Sequence, residues 1–128
     1  MLGSTNHPHV EHLTLALAER GFELLAAGDH VDMLPASVLP AAGVPVVQAP
    51  TASRATPRGV GAHVRWIRRL LRDFRPDVVH ANWMPGFAFQ AAVAGARPLV
   101  AMAWGSDVLL TSRTQSLAAR VAARRAQL

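Results

Sequence analysis

Hydrophobic positions along this chain switch between two periods. Val10, Leu13 and Leu17 recur every three to four residues, with Glu11 and Glu19 elsewhere on the turn, so Val10–Arg20 reads as a helix. Pro8 suits its first turn, where a missing N–H has no bond to lose, and Gly21 suits the position just past its end. Phe22–Ala27 then reads as a short buried strand and Val44–Gln48 as another, with Gly28–Gly43 a loop carrying Pro35 and Pro40. Met1–Gly3 reads as the tail of a strand. Thr51–Gly61 is rich in Thr, Ser, Pro and Gly and has the strongest loop character of the chain. The helical period returns in His63–Arg75: Ile67, Leu70, Leu71 and Phe74 form one stripe, Arg65, Arg68, Arg69 and Arg72 another, and Pro76 stops it. Asp77–Ala81 is a β-branched run of strand length, Gly86–Ala94 a nearly all-apolar helix ended by Gly95, and Pro98–Ala103 the next strand. Trp104–Asp107 reads as a turn. Thr114–Leu128 reads as a last helix, with Leu117, Val121 and Leu128 inward and Arg113, Arg120 and Arg124 on another face.

The resulting order, β-α-β-β-α-β-α-β-α, predicts a mostly parallel sheet covered by helices. Right-handed crossovers make this a doubly wound, Rossmann-like α/β fold, with residues 1–128 forming a single domain without internal repeats. A first strand of three residues is shorter than the usual ~5–6. The last helix has no strand after it. Both features predict a sheet incomplete at both ends.

Composition supports a covered sheet: 51% of the 128 residues are hydrophobic and only 16% charged. Such a chain has too much apolar surface for general disorder. With no cysteine, disulfides and thiolate metal sites are excluded. No segment reaches ~18 consecutive apolar residues, and the start lacks the basic-then-apolar layout of a signal peptide. The expected location is the cytoplasm. The net charge of +5 comes from arginine alone, and it is uneven. Residues 1–64 hold 3 arginines against 5 acids, and residues 65–128 hold 10 against 3. A basic half fits a phosphorylated ligand, nucleic acid or anionic lipid, and equally the bias of a GC-rich coding sequence.

In open α/β sheets, ligands bind beyond the C-terminal strand ends. That rule selects three loops: Ser4-Thr5-Asn6-His7-Pro8-His9, Asn82-Trp83-Met84-Pro85-Gly86 and Trp104-Gly105-Ser106-Asp107. Polar groups beside aromatic faces suit a sugar, which offers hydroxyls and apolar C–H patches; packing at the core edge is the other account of both Trp residues. His7, His9 and His12 are spaced for a shared metal ion, but no nearby acid completes a motif, and polar residues at a helix start explain them equally. No G-x-G-x-x-G follows the first strand, and there is no phosphate-binding loop of the Walker type and no G-x-S-x-G. The Arg-rich helix fits a solvated face, a nucleic-acid track or a membrane surface; no DNA-binding motif accompanies it.

Taken in order, Arg-Gly-Phe-Glu-Leu within Glu19–Leu24, Arg-Pro-Asp-Val-Val-His-Ala-Asn-Trp at Arg75–Trp83 and Pro-Leu-Val-Ala-Met-Ala-Trp-Gly-Ser-Asp-Val-Leu at Pro98–Leu109 resemble the N-terminal domain of family 4 glycosyltransferases, which have the GT-B fold. The resemblance covers nearly the whole chain. It implies two Rossmann-like domains facing a cleft, the first holding the acceptor and the second holding a nucleotide-sugar donor through an acidic E-x7-E motif and basic residues. This chain corresponds to the first. The resemblance further implies retention of anomeric configuration, hexosyl-type transfer, and no metal or other cofactor. One departure stands out: many relatives have His before Gly after the strand matching Pro98–Ala103, where this chain has Trp104. Asp107 matches the acidic position of that turn, or caps a helix, and His80 matches a frequent histidine.

The expected function is therefore the acceptor side of a glycosyltransferase, inactive as these residues alone. The acceptor cleft is expected to use Ser4, Asn6, His7, Asn82, Trp83, Trp104, Gly105, Ser106 and Asp107. The expected partners are a nucleotide-sugar donor, bound by a second domain, and a sugar or lipid-linked acceptor. Nucleic acid is not expected. Peripheral contact with the inner face of the membrane through the Arg-rich helix extends the picture. The alternative is a stand-alone α/β binding or docking module using that basic helix.

Overall fold

The structure, a computed structural model, describes residues 1–53, 56–109 and 112–126, and of Val108 only the backbone. They fall into two compact units, Met1–Ala49 and Pro50–Leu128. Each carries a parallel strand pair; helix links the two strands of the second unit, while residues 29–45, without helix, link those of the first, and the class is α/β and Rossmann-like.

In the first unit, helix α1 spans Pro8–Ala18 and opens with the proline, as expected. It buries Val10 and Thr14, and the Thr14 hydroxyl donates to the Val10 carbonyl at 2.6 Å, which keeps that polar group satisfied. Strand β1 is Ala26–Gly28 and strand β2 is Val46–Gln48, parallel, with Ala26 opposite Val46 and Gly28 opposite Gln48. On the other side of β1, Leu2 bridges Ala27 in parallel; the Ala27 N–H donates to the Met1 carbonyl at 2.8 Å and the Gly3 N–H to the Ala27 carbonyl at 3.1 Å. β1 is thus held from both sides. Ala26, Leu39 and Val44 form the buried core, with Leu15, Ala18, Leu24 and Val46 against it.

The strand expected at Phe22–Ala27 starts four residues later than the pattern implies, and Phe22 is 60% exposed. The Phe22 N–H bonds back to the Leu17 carbonyl and the Gly21 N–H to the Ala18 carbonyl, closing the end of α1 in a Schellman arrangement with Gly21 at φ 81°. Residue 22 therefore belongs to the helix stop.

In the second unit, helix α2 spans Pro57–Phe74, so half of the expected Thr51–Gly61 loop is helical. Residues that look like loop formers are here helix starters: Thr56 accepts the Gly59 N–H at 3.1 Å as N-cap, and Pro57 takes the first position. Arg75, left-handed at φ 50° and followed by Pro76, ends the helix. Strand β3 is Val79–Asn82 and strand β4 is Leu99–Met102, parallel, with Val79 opposite Leu99 and Asn82 opposite Met102. Between them the expected Gly86–Ala94 helix begins earlier, as a π-helical turn over Trp83–Ala88 that continues into α3, Phe89–Ala94. The expected turn at Trp104–Asp107 leads directly into a short helix, α4, Gly105–Leu109.

Helix α5 spans Arg113–Arg125 and starts with a capping box between Ser112 and Gln115. It packs on the π-helical turn and α3. Its inward residue is the fully buried Ala122, whereas Leu117, expected inside, is 64% exposed. Leu128 lies outside the described residues. The small Ala122 side chain marks the packed face of α5, and Leu117 lies more than a quarter-turn away from it.

Candidate functional site

The C-terminal ends of β3 and β4 deliver two of the expected loops to one carboxylate. The Met84 N–H donates to Asp107 Oδ2 at 3.2 Å, and the Trp104 N–H to the same oxygen at 3.1 Å. The Asp107 N–H donates in turn to the Trp104 carbonyl at 2.8 Å. Asp107 is only 5% exposed. As third residue of α4 it reaches back to the amide preceding the helix, so the capping role open to it is realised, and one further bond ties in the loop after β3.

That loop is bent sharply. Trp83 has φ 66°, a left-handed conformation costly for a bulky residue and found where surrounding structure enforces it. Gly86 leaves room for the indole of this residue: a Cβ there would overlap the six-membered ring of Trp83. The indole therefore lies directly on the Gly86 backbone while 37% of Trp83 remains exposed. Asn82 is buried beneath this turn, Trp104 is half-buried, and Gly105 and Ser106 are exposed at the start of α4.

The first expected loop lies in the first unit, where its polar groups hold a neighbouring segment. Ser4 Oγ donates to Asp29 Oδ1 at 2.8 Å, and the Thr5 N–H and hydroxyl both reach the Asp29 carbonyl. Asn6, 2% exposed, accepts the Val31 N–H at 2.8 Å and donates to the carbonyls of Val31 and Pro35 at 2.9 and 3.0 Å. His7 occupies the N-cap position of α1, its ring stacked on His9 at 5.4 Å. Among the described residues no three His, Asp or Glu side chains converge on a metal position. The sequence reading missed Asp29 and the 31–35 segment; an acid directly after β1 was the available signal.

Glu11 and Glu19 stand at the E-x7-E spacing that the resemblance assigns to the donor side. Glu11 accepts the Val38 N–H at 2.8 Å, and Glu19 caps the exposed end of α1. Glu11 is thus engaged in holding a loop.

The basic stripe of α2 is also partly engaged. Arg68 donates to the carbonyls of Val93 and Ala94 at 3.2 and 3.4 Å, capping the C-terminal end of α3. Arg72 pairs with Asp73 at 2.9 Å.

His80, opposite Val100 in the β3–β4 ladder, is half-buried, and burial lowers its pKa below the ordinary 6.5. As pH falls, the unfolded chain takes up this proton first. His80 therefore makes stability fall from pH 6.5 down to its lower folded value, and leaves it unaffected above. Urea titrations at pH 7.5 and 5.5 are expected to show a smaller acid loss for His80→Gln than for the parent chain. An equal loss in both would remove His80 as a source.

Parallel strand pairs packed with helices, with two loops gathered at Asp107 beyond the ends of β3 and β4, define an α/β protein, a class in which ligands bind beyond the C-terminal strand ends. A family model described as glycosyl transferase 4-like matches residues 1–128, and the chain belongs to that family. No curated protein sequence matches it. The resemblance carried by Glu19–Leu24, Arg75–Trp83 and Pro98–Leu109 is borne out at the level of the family, and glycosyl transfer is the activity at that level.

Proposed function

We propose that this chain supplies the acceptor-side surface of a retaining, hexosyl-type glycosyltransferase that uses a nucleotide-sugar donor. The observation that carries the reading is the Asp107 carboxylate, which fastens the Trp83 and Trp104 loops to one point beyond β3 and β4. Trp83 offers a seated aromatic face to the C–H side of a pyranose, and Ser106 offers a hydroxyl beside the same clamp. The acceptor is a sugar or a lipid-linked sugar. Trp104 replaces the histidine frequent at this turn, so an imidazole contact from that position is replaced by an indole.

Glycosyl transfer from a nucleoside diphosphate sugar needs the developing phosphate charge to be held. Residues 82–86 and 104–107 contain no cation, so the donor is assigned to a second domain. The 128-residue chain incubated with UDP- or GDP-hexoses and alkyl glycosides is expected to give no transfer product, while alkyl glycosides quench its tryptophan fluorescence. Trp83→Ala is expected to weaken that binding about fivefold to tenfold, the order of one lost aromatic contact. Product formation by the chain alone would contradict the donor assignment. Unchanged affinity in Trp83→Ala would contradict the acceptor surface.

A further inference from the structure

Helix α5 contains no acidic residue, but it holds arginines at 113, 120, 124 and 125. Arg113, Leu117, Arg120 and Arg124 follow one another at offsets of four, three and four, which places them on one helical face. All four are exposed. Ala122, half a turn away from Arg113, is the residue buried against the rest of the unit. The stripe thus faces away from the packed side, with a leucine 64% exposed in its middle. Leu109, at the end of α4 where that helix meets α5, is 80% exposed as well.

Folding explains Ala122 and leaves this face unexplained. A solvated helix face ordinarily intersperses both signs of charge, and here there is only one. We infer that the Arg113–Leu117–Arg120–Arg124 face docks on an anionic lipid surface. The guanidinium groups meet headgroup phosphates, and Leu117 enters the boundary with the acyl chains. A nucleic-acid backbone matches the arginines but gives Leu117 nothing apolar to bury against. A second copy of the chain would oppose like charges. The surface differs from the Arg-rich α2 singled out by sequence, where Arg68 caps α3 and Arg72 pairs with Asp73. It stands independently of the acceptor reading.

The test is co-sedimentation of the 128-residue chain with vesicles of phosphatidylglycerol and phosphatidylcholine in equal parts, against phosphatidylcholine alone. Binding to the anionic vesicles is expected to be stronger by at least about tenfold and to weaken with salt. The triple variant Arg113→Glu, Arg120→Glu, Arg124→Glu is expected to lose about a hundredfold, at about fivefold per arginine removed. Leu117→Ser is expected to lose about threefold to tenfold while keeping the salt dependence. Arg65→Glu, Arg69→Glu, Arg97→Glu carries the same charge change at exposed positions elsewhere and is expected to bind as the parent does. Because all these positions are exposed, the variants should melt with the parent. No preference for anionic vesicles would overturn the inference. So would retained binding in the α5 triple variant, an equal loss in the control triple, or tighter binding to an oligonucleotide than to vesicles at equal phosphate concentration.

Discussion

Gly28→Ala is expected to destabilise the first unit by about 3 kcal/mol or more, at the severe end of single substitutions. Gly28 ends β1, which is held between β2 and the Met1–Gly3 segment. A Cβ on residue 28 would overlap the Gly3 carbonyl group. The obstacle is backbone, so no rotamer relieves it. Moving Gly3 away would strain its bond to the Ala27 carbonyl at 3.1 Å and the adjoining Thr5–Asp29 bond at 2.8 Å. The natural control is Gly105→Ala, where a Cβ meets open space and no left-handed φ is required; it should change stability by less than about 0.5 kcal/mol. Urea denaturation followed by circular dichroism separates the two. Equal midpoints for both variants would contradict the close approach.

Asp107→Ala is the second large effect, expected at about 2–4 kcal/mol. Removing the carboxylate leaves the Met84 and Trp104 amides without their acceptor, and each such orphaned group costs about 1–3 kcal/mol when buried. Asp107→Asn retains an oxygen that accepts one or both bonds, and loses only the charge assistance, about 1 kcal/mol. Hydrogen exchange gives a more local reading. Amide protection at Met84 and Trp104 should collapse in Asp107→Ala and largely survive in Asp107→Asn. Protection that persists in the alanine variant would show that another group holds the two loops.

These two positions illustrate what the sequence makes legible. Helical periodicity located α1, α2 and α5, because a stripe repeats locally every three to four residues, and a nearly all-apolar run ended by Gly95 located α3. The strands Val46–Gln48 and Leu99–Met102 lie within their expected runs, shorter by one or two residues at an end, and Val79–Asn82 is shifted by one or two residues from its β-branched run. Boundaries were harder where one residue type serves two ends. Thr56 and Pro57 signal a loop or a helix start equally, and Phe22 looks like strand until its amide is seen closing α1. Leu117 was read as core because hydrophobicity ranks leucine above alanine, yet close helix packing selected Ala122.

The candidate site was legible as loops but not as roles. A polar residue beyond a strand looks the same whether it meets a ligand or the protein's own backbone. Asn6 turned out to staple residues 31–35, and Ser4 to hold Asp29. Asp107 joins Met84 across 23 positions, a separation that local patterning does not record. The seat of Trp83 on Gly86 depends on a left-handed φ at a residue that rarely adopts one, which no propensity anticipates.

The central claim is that the loops clamped by Asp107 receive a sugar. The three tryptophans offer a direct measurement, since Trp66 sits within α2 and Trp83 and Trp104 flank the clamp. In a 15N-correlated NMR titration with an alkyl glycoside, the indole signals of Trp83 and Trp104 should shift together and saturate with one affinity, while Trp66 stays in place. A saturable shift at Trp66 with Trp83 and Trp104 unmoved, or no saturable shift at any of the three, would contradict the account.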